Sequence, residues 1–141
     1  MKQLLILFAL LTFFSCQVQK NKPAKISGTW KLISGTLIEN GDTTVTRYSN
    51  FIKIINDSHF GFFNHDVNPD SMLVSGGGRY ELQGDQYTEH LEYCSDRAWE
   101  GHDFIFTVRI KNDTLVQSGF EKIEARNINR LNIERYVRIA N

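Results

Sequence analysis

The sequence predicts an all-β domain, a single antiparallel up-and-down barrel of about eight to ten short strands, preceded by an export segment and a short tether. Three observations carry this prediction. From Gly28 onward, apolar residues recur with a period near two, as on half-buried strands, rather than at helical spacing. Two-residue turn signals punctuate the run at Asn40-Gly41, Gly84-Asp85 and Asn112-Asp113. Consecutive tight hairpins in that number favour a barrel that closes on itself over a sandwich, which needs longer crossing connections.

The elements follow in chain order. Lys2 precedes the apolar run Leu4–Leu11, and small Ser15 stands before Cys16, so residues 1–15 read as a signal peptide. The run is too short for a permanent membrane-spanning helix. Ser15-Cys16 resembles the lipobox of bacterial lipoproteins, with Phe13 where that motif usually has Leu. The resemblance implies cleavage before Cys16 and a lipid on its thiol, and more than one acyl chain makes such anchoring stable. Residues 16–25 are polar, hold Pro23 and lack apolar periodicity, which predicts a flexible tether. No Asp follows Cys16 directly and no acidic cluster comes after it. The marks that resemble inner-membrane retention and surface export are therefore missing, and the expected location is the outer membrane, facing the periplasm.

Residues 26–141 form the predicted domain, long enough to bury a core without covalent staples. Sixteen Lys and Arg balance sixteen Asp and Glu, and removal of residues 1–15 takes away only Lys2. A nucleic-acid partner is not expected, because phosphate neutralisation needs a clustered basic excess. The nearest cluster, Arg126, Arg130, Arg135 and Arg138, is interleaved with Glu124 and Glu134 and reads as a solvated strand face. With Cys16 lipidated, Cys94 has no internal disulfide partner and is either buried or free to pair between molecules.

Asn40-Gly41 joins Thr29–Ile38 to Thr43–Arg47, and Asn56-Asp57-Ser58 turns Phe51–Ile55 back onto His59–Phe63. Gly84-Asp85 joins Arg79–Leu82 to Tyr87–Tyr93, Asn112-Asp113 joins Phe104–Ile110 to Leu115–Gly119, and Asn132–Ile139 closes the domain. Ser95–Gly101 is the one helical candidate, with Ser95 as N-cap and Gly101 as stop, and is expected to cover a barrel end. Gly76-Gly77-Gly78 predicts a sharp bend or a bulge.

Gly28-Thr29-Trp30 at the first strand resembles the Gly-x-Trp signature of lipocalins and their relatives. In those barrels the Trp closes one end and a basic side chain from the last strand lies across it. The resemblance gives that place to Arg138, in Tyr136-Val137-Arg138. Gly76–Asp96, with Gly-Gly-Gly-x-Tyr and Tyr-Thr-Glu-x-x-Glu-Tyr-x-Ser-Asp, also resembles lipocalin-like lipoproteins. The likeness spans about Gly28 to Arg138 and implies a lipocalin-like barrel, with Gly28, Trp30 and Arg138 as closure residues. It carries a fold better than an activity.

A two-residue loop at Gly84-Asp85 pairs Leu82 with Tyr87, Tyr80 with Glu89 and Arg79 with His90. Tyr80, Leu82, Tyr87, Glu89, Leu91 and Tyr93 then share the inner face, while Arg79, Glu81, Thr88, His90 and Glu92 share the wet one. Asn112-Asp113 likewise pairs Ile110 with Leu115, Val108 with Gln117 and Phe106 with Gly119, which turns Gln117 inward. On the first strand Trp30, Leu32 and Ser34 are expected on one face. The turn at Asn56–Ser58 leaves open whether His59 or Phe60 points in.

A carboxylate among tyrosines and leucines costs several kcal/mol unless it is hydrogen-bonded, paired or neutralised, so Glu89 asks for a reason. Three remain open. In a filled core, Tyr80, Tyr93 or a buried water satisfies Glu89, and the domain serves as a non-enzymatic partner for another envelope protein. In a ligand cavity, Leu91, Phe106 and Val108 form the wall, while Glu89, Gln117, Tyr80, Tyr87 and Tyr93 orient a small apolar or amphipathic molecule. In an enzyme, Glu89 acts as acid or base beside a tyrosine or His59. The histidines His59, His65, His90 and His102 match no metal spacing, no phosphate loop or nucleophile elbow is present, and neither a metal nor a cofactor is expected.

Overall fold

The computed structural model describes residues 25–47, 50–65 and 74–139. The signal peptide, Cys16 and nearly all of the tether lie outside the described residues. Nine strands follow one another in the described chain: β1 (Gly28–Glu39), β2 (Asp42–Arg47), β3 (Phe51–Ile55), β4 (His59–Asn64), β5 (Val74–Gln83), β6 (Gln86–Cys94), β7 (His102–Lys111), β8 (Thr114–Ile123) and β9 (Ile128–Arg138). All pair antiparallel, and β1–β9 pairing closes the sheet. β2 and β3 share one lane along β1, facing Ser34–Glu39 and Gly28–Lys31 respectively, so nine strands make an eight-lane barrel.

Turn chemistry fixes the registers. Asn40 and Gly41 both have positive φ, as a tight I′ hairpin requires, and Glu39 faces Asp42 across it. Leu82 faces Tyr87, Tyr80 faces Glu89 and Arg79 faces His90 across Gly84-Asp85. Val108 faces Gln117 and Ile110 faces Leu115 across Asn112-Asp113. At the Asn56–Ser58 turn the Asn56 side-chain oxygen accepts from the Ser58 and His59 amides, and this sets Phe60 inward and leaves His59 exposed.

Two bulges reverse the alternation and correct two expectations. Between Leu32 and Ser34 the β1–β9 register shifts. Trp30 and Leu32 are inside as expected, but beyond the bulge Gly35 and Leu37 face the interior in place of Ser34. In β6, Leu91 faces Gly78 while Tyr93 faces Gly77, so Glu92 is the extra residue. Tyr93 is thereby turned outward and is 69 % exposed, and Cys94 is turned in. A side chain at Gly78 would collide with the His90 carbonyl, which explains why the bulge sits opposite glycine. Leu82, expected inside, is 42 % exposed because it lies at the Gly84 hairpin tip.

A 3₁₀ turn at Arg97–Trp99 links β6 to β7. Asp96 caps it rather than Ser95, its carboxylate accepting from the Ala98 amide, and Glu100 ends it before Gly101. A second such turn, Glu124–Arg126, links β8 to β9. Both lie at the barrel end opposite the Asn56, Gly84 and Asn112 turns.

Candidate functional site

The end that carries the two chain termini of the barrel is sealed. Trp30 is fully buried, and its indole N–H donates to the Ile26 carbonyl at 2.8 Å. Trp30 and Arg138 face each other across β1 and β9, and the guanidinium carbon lies 4.0 Å from the ring centroid. Arg138 also donates to the carbonyls of Ser27 (2.9 Å) and Lys25 (2.7 Å), tying the incoming chain to the last strand. Gly28 has a φ of +147°, and a Cβ there would collide with the Arg138 guanidinium, so the Gly-x-Trp spacing has a steric cause.

Above this seal lies a polar layer centred on Lys53. The alternation of β3 sends Phe51, Lys53 and Ile55 inward and Ile54 outward. Lys53 is only 2 % exposed, and its ammonium donates to Glu89 and, at 2.9 Å, to the Gln117 side-chain oxygen. The rings of Phe60, Tyr87 and Tyr136 surround it at 5.4, 5.4 and 5.7 Å. Burial pushes the Glu89 carboxyl above the usual range even though Lys53 pulls it down. Burial, reinforced by neighbouring carboxylates, also holds the Tyr87 and Tyr136 phenols well above the ordinary tyrosine value, so both keep their protons as donors. Tyr136 uses its proton on Glu134, at 2.8 Å. Among the described residues the buried Tyr87 hydroxyl has no hydrogen-bond partner, and Glu89 and Glu134 are the carboxylates whose charges act on it.

Beyond Lys53 the interior opens into a cavity of about 310 Å³. Its apolar wall includes Phe51, Phe62, Leu91, Trp99, Phe104 and Phe106, with Phe51 stacked on Phe62 and Trp99 tilted against Phe104. A second polar group faces it. Glu121, buried on β8, accepts from Arg130 at 2.7 Å and from Asn132 at 2.8 Å, and the Arg130 guanidinium lies 5.2 Å from the Trp99 centroid. Burial raises the Glu121 carboxyl against the pull of Arg130. Exposed Thr46 and Val74 also line the space, which therefore reaches the surface at the end away from Trp30.

Of the residues expected to contact a ligand, Glu89, Leu91, Phe106 and Gln117 line this cavity. Tyr87 and Val108 are buried but do not line it. Tyr80 is half-buried, packs on Tyr87 with ring centroids 5.1 Å apart, and donates to the Asn56 carbonyl at the sealed end. Tyr93 stands outside the barrel wall for the reason given above. Glu89 is satisfied by Lys53 rather than by Tyr80 or Tyr93. Sequence reasoning missed Lys53, Trp99, Glu121, Arg130, Asn132 and Glu134. The alternation of Phe51-Ile52-Lys53-Ile54-Ile55 placed the lysine with Phe51 and Ile55, and extending the inward period from Gln117 through Gly119 reaches Glu121.

A closed antiparallel meander with a Gly-x-Trp entry and an arginine across that Trp defines a lipocalin-like barrel. The chain belongs to the family described as a domain of unknown function (DUF4488), whose model matches residues 25–141. Its fold is similar to a solved lipocalin-like protein from Bacteroides uniformis, at 15 % identity and a TM-score of 0.54, over 80 % of this chain and 97 % of that one. It is also similar to an uncharacterized protein from Bacteroides eggerthii, at 12 % identity and a TM-score of 0.51, over 80 % and 98 % of the two chains. No curated protein matches.

Proposed function

We propose that this chain is a membrane-anchored binding protein of the periplasm, held at the outer membrane through Cys16, whose barrel holds one small apolar or amphipathic molecule. The observation that carries this reading is the aromatic-walled cavity, of about 310 Å³, with carboxylate, amide and ammonium groups on its wall. Apolar walls supply burial and a few fixed polar groups supply orientation, the usual composition of a small-molecule site. A filled barrel serving an envelope partner leaves no space of this size. Glu89 is engaged by Lys53 and is read as the lysine's counter-ion, not as a catalytic acid or base.

The test is the melting temperature of the purified chain against a panel of small apolar and amphipathic molecules. A ligand at a hundred times its Kd adds about 2.7 kcal/mol of stability, which is several degrees for a domain of this size. No shift with any member, together with a crystal structure whose interior is closed by side chains, would defeat the binding reading. The anchor has its own test. Cys16→Ser leaves the protein soluble or unprocessed, and unchanged processing and detergent-phase partitioning would count against lipidation.

A further inference from the structure

We infer that the cavity selects molecules whose polar end is a primary ammonium on a small apolar body, with Glu134 accepting from that ammonium. This deepens the binding reading above and rests on it.

The inference comes from the charges that face the cavity. Lys53 and Arg130 are its cations, and each is already matched, by Glu89 and Glu121 respectively. Asp96 is matched by Arg126. Glu134 is left over. Among the described residues it has no Lys, Arg or His within ion-pair distance, and its one hydrogen bond is the Tyr136 phenol on Oε2. Its Oε1 accepts nothing from the described chain, and with Asp96 answered by Arg126 from outside the wall, one wall carboxylate is left without a cation.

Among the described residues that line the cavity, an anionic ligand meets no free cation that could hold it. Lys53 spends donors on Glu89 and Gln117 and is enclosed by three rings, while Arg130 is bonded to Glu121. A neutral ligand leaves the surplus charge without a counter-ion, whereas an ammonium forms a charge-assisted hydrogen bond there. A guanidinium fits less well, because its planar fork seeks two acceptor oxygens and Tyr136 occupies one of them. The aromatic wall suits the remainder of such a molecule, since ring faces attract both an apolar body and a nearby cation. A cavity of about 310 Å³ lies at the small end of the range for ligand pockets, so the body is a single ring or a short chain.

The test uses the full chain in phosphatidylcholine nanodiscs, titrated calorimetrically with 2-phenylethylamine, 2-phenylethanol and 3-phenylpropionate. These share a body and differ in the charge of the polar end. The amine should bind roughly tenfold or more tighter than the alcohol, the ratio expected of one hydrogen bond to a charged group, and the carboxylate should bind weakest. Glu134→Gln should bring the amine to the level of the alcohol and leave the alcohol unchanged. Tyr136→Phe, which frees the second oxygen of Glu134, should preserve the amine preference and so guards against a Glu134 variant that fails to fold. Equal binding of amine and alcohol, or an amine preference indifferent to Glu134→Gln, overturns the inference and leaves the binding reading standing. Preference for the carboxylate overturns it as well. If none of the three binds, the inference falls, and the reading beneath it is decided by the melting-temperature panel and the state of the interior.

Discussion

Each end of the barrel has a tryptophan under an arginine, and the two pairs do different work. At the sealed end Trp30 is fully buried, Arg138 lies 4.0 Å from its ring, and the other contacts of that guanidinium include backbone carbonyls of the entering chain. At the far end Trp99 is only partly buried and lines the cavity. Arg130 lies farther from the ring, at 5.2 Å, and bonds to the cavity carboxylate Glu121. The first pair ties strands together. The second couples an aromatic wall to a buried charge, an arrangement that adds little to closure and shapes the interior instead. Closure and the proposed binding thus fall to opposite ends, with the Lys53 layer between them.

This division predicts unequal effects. Trp30→Ala should cost about 3–5 kcal/mol, since a large buried ring leaves a cavity, whereas Trp99→Ala should cost about 1 kcal/mol. Denaturant titration of the two variants compares the ends directly, and equal losses would erase the distinction. Lys53→Met in the intervening layer should cost about 3 kcal/mol, because it leaves Glu89 buried without its cation. Adding Glu89→Gln to Lys53→Met should recover part of that loss, and a double variant no better than the single one would show that Glu89 is not the stranded charge.

The same layer makes a pH prediction. Glu89 and Glu121 are both raised above their ordinary value of 4.5 by burial. Over the window from that value up to their folded pKa, the folded state holds more protons than the unfolded one, so these groups lower stability as pH rises and contribute no further change above it. Glu89→Gln should flatten the fall in melting temperature as pH rises above 4.5, and an identical slope would show that Glu89 does not contribute to it. Within the seal, the guanidinium has a smaller effect than the indole. Arg138→Lys keeps the charge but loses the planar stack, and should cost roughly 0.5–2 kcal/mol. A double-mutant cycle with Trp30→Ala should show coupling, and strict additivity would mean that the two side chains do not touch.

The strands and their registers were legible because turn residues fix the count across each hairpin. Once Gly84-Asp85 is a two-residue loop, Tyr80 must face Glu89, and the seal follows from the same reasoning with the lipocalin resemblance. What stayed illegible depends on insertions and on contacts distant in sequence. The extra residue Glu92 reverses Tyr93, and nothing local distinguishes it from an ordinary strand residue until Gly78 is placed opposite. Glu89 was recognisable as a buried carboxylate, but its partner Lys53 lies 36 positions away on a strand that sequence alone leaves without a facing. The Glu121, Arg130 and Asn132 group was hidden because the eighth strand runs on past Gly119 to Ile123 and the ninth begins at Ile128. Arg130 therefore read as part of a solvated face.

Tryptophan emission gives the most direct test of the central claim, that a small molecule enters the barrel from the end away from the seal. The chain has two tryptophans, one lining the cavity and one sealed from it. Titration with 2-phenylethylamine should change the emission of a Trp30→Phe variant, in which only Trp99 reports, saturably and with the affinity measured calorimetrically for that variant. A Trp99→Phe variant, in which only Trp30 reports, should bind the same ligand with little change in emission. Saturable binding that alters Trp30 and leaves Trp99 untouched would contradict the account.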